Sequence, residues 1–215
     1  MTEKWILSVP GRKPIKHDGF KILLNKSERN HPWLRCCHGV QQILDNVRVG
    51  HDALLVEDDI MLCPDFEHRL GSVEKFFGSN TPALVCFYVP VDIGLPVMQN
   101  PMPYPADTSP WGTQANWINA DAIPIYRGIA ETYLACEVSE EPRDYRTGQH
   151  PVGKGIGVYD GWDVLLYKTL AHLNVPVYYY AGVQHMNAKT TCLSTHHTSP
   201  FWPQPKDLKN RPGWH

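Results

Sequence analysis

Residues 53–66 read ALLVEDDIMLCPDF, and this stretch decides the fold. An apolar run of four residues leads into three consecutive acids, Glu57, Asp58 and Asp59. Such a run is typical of a buried strand in an α/β sheet, and open α/β sheets bind ligands beyond the carboxyl ends of their strands. Because three adjacent carboxylates repel one another, a buried strand end predicts a neutralising cation, and hard oxygen ligands suit Mg²⁺ or Mn²⁺. A solvated acidic turn after the strand is the open alternative.

The elements around this stretch indicate one α/β domain. Other apolar runs predict strands over 5–9, 22–25, 83–89, 111–118 and 175–180, and helical periods cover 33–47, 65–77, 125–136 and the segment after Asp163. We expect a mainly parallel mixed sheet with helices on both faces. The domain is predicted to span 1–193, with 194–215 as an irregular tail packed on it. Residues 90–110 and 137–157 are expected to be long functional loops.

Composition narrows the class of protein. The 215 residues carry a net charge of −2, which gives no general case for binding nucleic acid or an anionic membrane. No apolar run approaches the length of about 18 residues that a membrane helix needs. The six cysteines show no C-x-x-C spacing and no signal segment precedes the first strand. We therefore expect a reduced, cytoplasmic protein without a zinc site.

Three motifs in this order resemble those of glycosyltransferases with the GT-A fold. Residues 55–66 are similar to the family's apolar strand, Glu/Gln-Asp-Asp and Cys-Pro-Asp-Phe segment. Residues 159–163 (Tyr-Asp-Gly-Trp-Asp) match acids that open a helix beside the acceptor, and residues 182–187 (Gly-Val-Gln-His-Met-Asn) match the closing histidine segment. The resemblance spans roughly Trp5 to Leu193. It implies a single Rossmann-like domain of the GT-A type.

The resemblance also implies a metal and a donor site. In such enzymes a divalent ion stabilises the charge that develops on the departing diphosphate of a nucleotide sugar. By the family pattern, Asp59 and His185 would hold Mn²⁺ or Mg²⁺, although an isolated histidine is more often structural. The donor, a uridine diphosphate sugar, is expected to contact the acidic motif and the loop after the first strand through Pro10, Arg12, Glu57 and Asp58.

A general base must take the proton of the acceptor hydroxyl. Asp163 is the first candidate and Asp160 the second. Each aspartate also precedes an apolar-periodic segment, where helix capping is an equally favoured role. The residues do not decide between an inverting and a retaining reaction.

The acceptor is left open by the sequence. Small members of the resembled group occur in phage-type genomes, which makes a hydroxymethylated base of phage DNA one candidate, a glycan another, and the host cytoplasm the place of action. The near-neutral charge opposes tight binding to duplex DNA. Trp111, Trp117 and Trp162 have the chemistry to stack on a sugar or base, but core packing is expected for at least two of them.

The same residues allow three rival interpretations. A metal-dependent nuclease or phosphohydrolase would use Asp58, Asp59, His185 and the pair His196-His197 as ligands, but the usual spacings are missing. A non-catalytic sugar-binding protein is the second alternative, against which the intact acidic motif speaks. A receiver domain is disfavoured because about fifty residues precede the acidic strand and no suitable Lys-Pro follows it.

Overall fold

The computed structural model describes residues 1–28, 32–77, 81–88, 102–106, 113–135 and 162–186. Its strands are β1 (Thr2–Ser8), β2 (Lys21–Leu24), β3 (Asp52–Glu57), β4 (Ile60–Leu62), β5 (Leu84–Cys86), β6 (Tyr104–Pro105), β7 (Ala115–Ile118), β8 (Val177–Tyr179) and β9 (Val183–His185). Its helices are α1 (Pro32–Asn46), α2 (Phe66–Phe77), α3 (Ile123–Ala135) and α4 (Trp162–His172).

The main sheet has seven strands in the order β2-β1-β3-β7-β5-β8-β6. Strands β1, β2 and β3 are mutually parallel, and β5 is parallel to β8. β7 runs antiparallel between β3 and β5, and β6 runs antiparallel to β8 at the edge. Five strands of this sheet therefore share one direction, which confirms the predicted mainly parallel mixed sheet.

Apolar side chains alternate between the two faces of the sheet. On β3, Leu55 packs in the core that contains α1, α3 and α4, whereas Leu54 and Val56 pack in the core that contains α2. This alternation follows from the two-residue period of a strand. The prediction of helices on both faces is confirmed. None of the helices in the described ranges is long and apolar enough to cross a membrane.

Two of the three tryptophans considered as stacking platforms belong to these cores. Trp117 lies in the α2 core, and Trp162 lies in the opposite core against Tyr126 and Tyr133. Both side chains are fully buried, which confirms core packing for them. Trp111 lies outside the described residues.

The prediction of a long loop over 90–110 is wrong at Tyr104–Pro105. Tyr104–Pro105 forms the edge strand β6, because its backbone pairs with Tyr179 and Tyr178 of β8. A proline is tolerated there since an edge strand leaves some N–H groups unpaired. The other predicted loop, 137–157, and the tail 194–215 lie outside the described residues.

A buried carboxylate lies at the amino end of the sheet. Glu3 on β1 accepts hydrogen bonds from Lys21 Nζ at 2.6 Å and from Arg48 Nε and N at 2.9 and 3.0 Å, and His51 Nδ1 lies 3.8 Å away. Burial alone would raise the pKa of Glu3, but the hydrogen bonds from Lys21 and Arg48 outweigh it and lower the pKa to about 2. We call Glu3, Lys21, Arg48 and His51 the amino-end cluster.

Candidate functional site

The three acids of the motif lie at the carboxyl ends of β1 and β3. β3 ends at Glu57, the chain turns through Asp58 and Asp59, and β4 begins at Ile60. Because Leu7 of β1 is paired in parallel with Glu57, the last residue of β1, Ser8, reaches the turn. Its hydroxyl donates a hydrogen bond of 2.6 Å to Asp58 Oδ2. The acids therefore lie at the edge where open α/β sheets bind their ligands.

A tight turn after β1 brings a cation to the same place. Arg12 N donates to the Val9 carbonyl at 3.2 Å, and Gly11 has a φ of +85°. Proline at the second position and glycine with positive φ at the third are typical of a type II turn, so the order Val9-Pro10-Gly11-Arg12 suits this geometry. Pro10 is exposed at this turn. The turn at residues 9–12 thus directs the chain toward the acids.

The Arg12 guanidinium bridges two of the carboxylates. Nη1 lies 3.1 Å from Asp58 Oδ1, and Nη2 lies 2.9 Å from Asp59 Oδ2. A planar guanidinium suits such paired contacts better than an ammonium does. The Mg²⁺ or Mn²⁺ that the sequence predicted at these acids stays a prediction, and the structure adds Arg12 as a cation of the chain itself. We call this arrangement the arginine fork.

The acids nevertheless outnumber this cation. Burial, together with the charges of Asp59 and Asp58, raises the pKa of Glu57 to about 8, although the charge of Arg12 acts in the opposite direction. Burial also raises the pKa of Asp58, although hydrogen bonds from the Ser8 hydroxyl and the Val9 N–H and the charge of Arg12 lower it. A further positive charge at this edge would be favourable.

Strand β9 brings the predicted histidine to the acidic turn. β4 pairs with β9 in a second, two-stranded antiparallel sheet, in which His185 is the direct partner of Ile60. Met186 N also donates to the Asp59 carbonyl at 3.0 Å. The backbones of His185 and Asp59 are therefore neighbours, as a common ligand set requires.

Helix α4 contributes another acid to the surroundings of Glu57. Asp163 lies in the first turn of α4, and its charge is one of the factors that raise the pKa of Glu57 and of the buried Cys86 thiol. The structure thus brings Asp163 near the acidic motif. Asp160, the second candidate base, lies outside the described residues, as do His196 and His197.

Sequence reasoning missed the contribution of Ser8 and the Val9 N–H, which hold Asp58. A small hydroxyl residue that ends an apolar strand just before Pro-Gly is the signal that points to Ser8. Asp58 is only 3% exposed and Asp59 8% exposed. Asp58 is therefore fixed mainly by the protein itself.

The carboxylates of Asp58 and Asp59 have the hard oxygen chemistry that Mg²⁺ and Mn²⁺ prefer. Over the described ranges, no group of three or more His, Cys, Asp or Glu residues is arranged to hold a metal ion. One oxygen of each carboxylate already contacts Arg12. The two acids fit a divalent ion by their chemistry, and such an ion has to share them with the arginine fork or displace it.

Comparisons with known proteins give a distant structural likeness. No protein-family model matches the sequence, and no curated protein matches it. A solved structure of a glycosyltransferase involved in the glycosylation of the major capsid of PBCV-1 is similar, with a TM-score of 0.35 and 12% sequence identity. The match covers 60% of this chain and 65% of that chain, which is less than two thirds of its length. At this level of similarity, the fold assignment rests on the strands and helices described above.

Proposed function

We propose that this protein is a glycosyltransferase that moves a sugar from a nucleotide-sugar donor, a uridine diphosphate hexose, to an acceptor hydroxyl. The observation that carries the proposal is the excess of acid at one edge of the sheet. Glu57 ends β3, and Asp58 and Asp59 in the turn after it both contact Arg12. Such an edge favours a divalent ion, whose positive charge would lie between these carboxylates and the phosphates of the donor.

Asp59 and His185 would hold that ion, and Asp58 would orient the acidic turn from its bonds with Ser8 and Arg12. When bound, Mn²⁺ or Mg²⁺ supplies the Lewis acidity that offsets the charge growing on the departing diphosphate. Pro10 and Glu57 border the same edge and are proposed to contact the nucleotide part of the donor. Arg12 is proposed to contact its phosphates.

Asp163 is proposed to accept the proton of the attacking hydroxyl. Its position at the first turn of α4, close enough to raise the pKa of Glu57, supports a place beside the donor. The anomeric carbon–oxygen bond to the diphosphate breaks, a bond to the acceptor oxygen forms, and the released proton passes to the carboxylate. Asp160 stays the second candidate for this role.

The acceptor is proposed to be a hydroxyl of a modified base in phage DNA or of a glycan. An acceptor panel with hydroxymethylated and unmodified DNA, single and double stranded, beside simple glycans distinguishes the two. The net charge of −2 favours the glycan, because a protein that binds DNA needs cations to neutralise the backbone phosphates. If the enzyme transfers sugar to neither DNA nor a glycan and releases uridine diphosphate only by hydrolysis of the donor, the acceptor is another compound with a hydroxyl group.

The proposal is tested by calorimetric titration of uridine diphosphate with and without Mn²⁺, followed by a product assay with a panel of uridine diphosphate hexoses. We expect binding that depends on Mn²⁺ and donor turnover once an acceptor is supplied. Binding without turnover on any acceptor would favour a non-catalytic sugar-binding protein. Binding of the metal alone, with cleavage of nucleic acid or phosphoesters, would favour the phosphohydrolase and overturn the proposal.

A further inference from the structure

We infer that Arg12 is a resident cation that competes with the divalent ion for Asp58 and Asp59 and moves to the donor's phosphates when the nucleotide sugar binds. This inference rests on the proposed function and adds a role that a static phosphate contact does not have. It makes Arg12 a positioning residue that couples metal binding to donor binding.

The starting position of Arg12 is well defined. Its two terminal nitrogens contact one oxygen of Asp58 and one oxygen of Asp59, at 3.1 and 2.9 Å. Both carboxylates are almost fully buried, so the charge of the guanidinium is felt through little intervening solvent. A divalent ion that approaches the same pair meets a positive charge already in contact with both acids.

The arginine side chain can leave without unfolding its loop. The Arg12 side chain is 26% exposed, against 3% and 8% for the side chains of Asp58 and Asp59, so part of it is in contact with solvent. The loop backbone is held separately by the bond from Arg12 N to the Val9 carbonyl and by a 2.8 Å bond from Ile15 N to the Asp58 carbonyl. Release of the side chain therefore leaves these backbone bonds in place.

A diphosphate offers the guanidinium an equivalent set of partners, because phosphate oxygens match its paired N–H groups as carboxylate oxygens do. When Arg12 turns to the phosphates, Asp58 and Asp59 regain their full attraction for a cation. Donor and metal therefore strengthen each other's binding, and the strengthening is reciprocal by thermodynamic linkage.

The test measures Mn²⁺ affinity by electron paramagnetic resonance, with and without uridine diphosphate, for the wild type, Arg12→Gln and Lys16→Ala. Lys16 is an exposed cation of the same loop and serves as the matched control. Without nucleotide, we expect Arg12→Gln to bind Mn²⁺ about tenfold more tightly than the wild type, since a positive charge has left the two carboxylates. Uridine diphosphate should then strengthen Mn²⁺ binding less in this variant than in the wild type.

Lys16→Ala should match the wild type in both measurements. An unchanged or weaker Mn²⁺ affinity in folded Arg12→Gln, or an equal gain in Lys16→Ala, overturns the inference. If circular dichroism shows that Arg12→Gln does not fold, Arg12→Lys replaces it. Its Mn²⁺ affinity should lie between that of the wild type and the value expected for Arg12→Gln, because an ammonium keeps the charge but not the paired contacts. Failure of the proposed function looks different, since no protein would then bind uridine diphosphate, whatever its Mn²⁺ affinity.

Discussion

The two ends of the β1–β3 pair treat their carboxylates in opposite ways. At the amino end, one glutamate, Glu3, is bonded by Lys21 and Arg48, and its pKa falls to about 2. At the carboxyl end, three acids share one arginine, and the pKa of Glu57 rises to about 8. Burial opposes ionisation at both ends, so the number of nearby cations decides the direction of the shift.

This difference separates a structural ion cluster from a candidate site. The amino-end cluster stabilises the fold because its charge is compensated in the folded state. Keeping the carboxyl-end acids together raises the free energy of the folded protein because the carboxylates repel one another. Such unfavourable clusters are typical of sites of binding or catalysis. The predictions below test whether the two ends really divide stability and function in this way.

The largest effect is expected from Asp59→Ala. Loss of this carboxylate should lower kcat/KM for sugar transfer by about 1000-fold, since the proposed metal loses a ligand at the charge that develops in the transition state. The free energy of unfolding should change by less than about 1 kcal/mol, because one of three repelling acids is gone. Transfer kinetics measure the loss of kcat/KM, and urea denaturation measures the change in the free energy of unfolding. Full activity in a folded variant would contradict the site.

Asp163→Asn tests the acid that α4 brings to the carboxyl end. If Asp163 takes the acceptor proton, kcat should fall by about 100-fold while KM for the donor stays nearly constant. A pure helix-terminal role predicts instead a small loss of stability with kcat unchanged, since an asparagine keeps the shape but not the charge. Steady-state kinetics together with thermal denaturation distinguish the two roles.

Glu3→Gln should show the opposite pattern to Asp59→Ala. We expect a loss of about 2 kcal/mol in the free energy of unfolding, because Lys21 and Arg48 lose their buried anionic partner. The effect is limited since their side chains are 53% and 66% exposed and regain water. Transfer activity of the folded variant should equal that of the wild type. A large fall in activity with stability unchanged would undo the comparison between the two ends.

The smallest predicted effect is a dependence of stability on acid pH. The pKa of Glu3 is lowered from 4.5 to about 2 on folding, so its contribution is present above pH 4.5 and is lost as the pH falls toward 2. With screening by solvent around the exposed partners, the loss should be about 1–2 kcal/mol. Urea denaturation at pH 6, 4 and 3 measures it. Glu3→Gln serves as the control and should lack this component.

Much of the fold could be predicted from local patterns. The apolar run before Glu57 became β3, and the periodic segment predicted over 33–47 became α1, Pro32–Asn46. These elements follow from side-chain burial on one face or both, which the sequence records directly. Core packing was also predicted for at least two of Trp111, Trp117 and Trp162, and Trp117 and Trp162 are buried.

Contacts between distant segments could not be predicted in the same way. Ile60–Leu62 is too short to show a period, and its partner β9 lies far along the chain, so the β4–β9 pair was missed. The contact of Arg12 with two of the acids could not be predicted from residue types alone. This contact depends on the turn at Gly11, which directs Arg12 back over Asp58 and Asp59.

The pairing of β4 with β9 also sets the order in which the two ends are completed during protein synthesis. The amino-end cluster has all its members once His51 has left the ribosome, whereas His185 follows its partner Ile60 by 125 positions. At about 5–20 residues per second, this gap corresponds to roughly 6–25 seconds. Until then the Asp59 carbonyl lacks the Met186 N–H that fixes it. A nascent chain thus contains all residues of the amino-end cluster early and receives the last residues that contact the acidic turn much later.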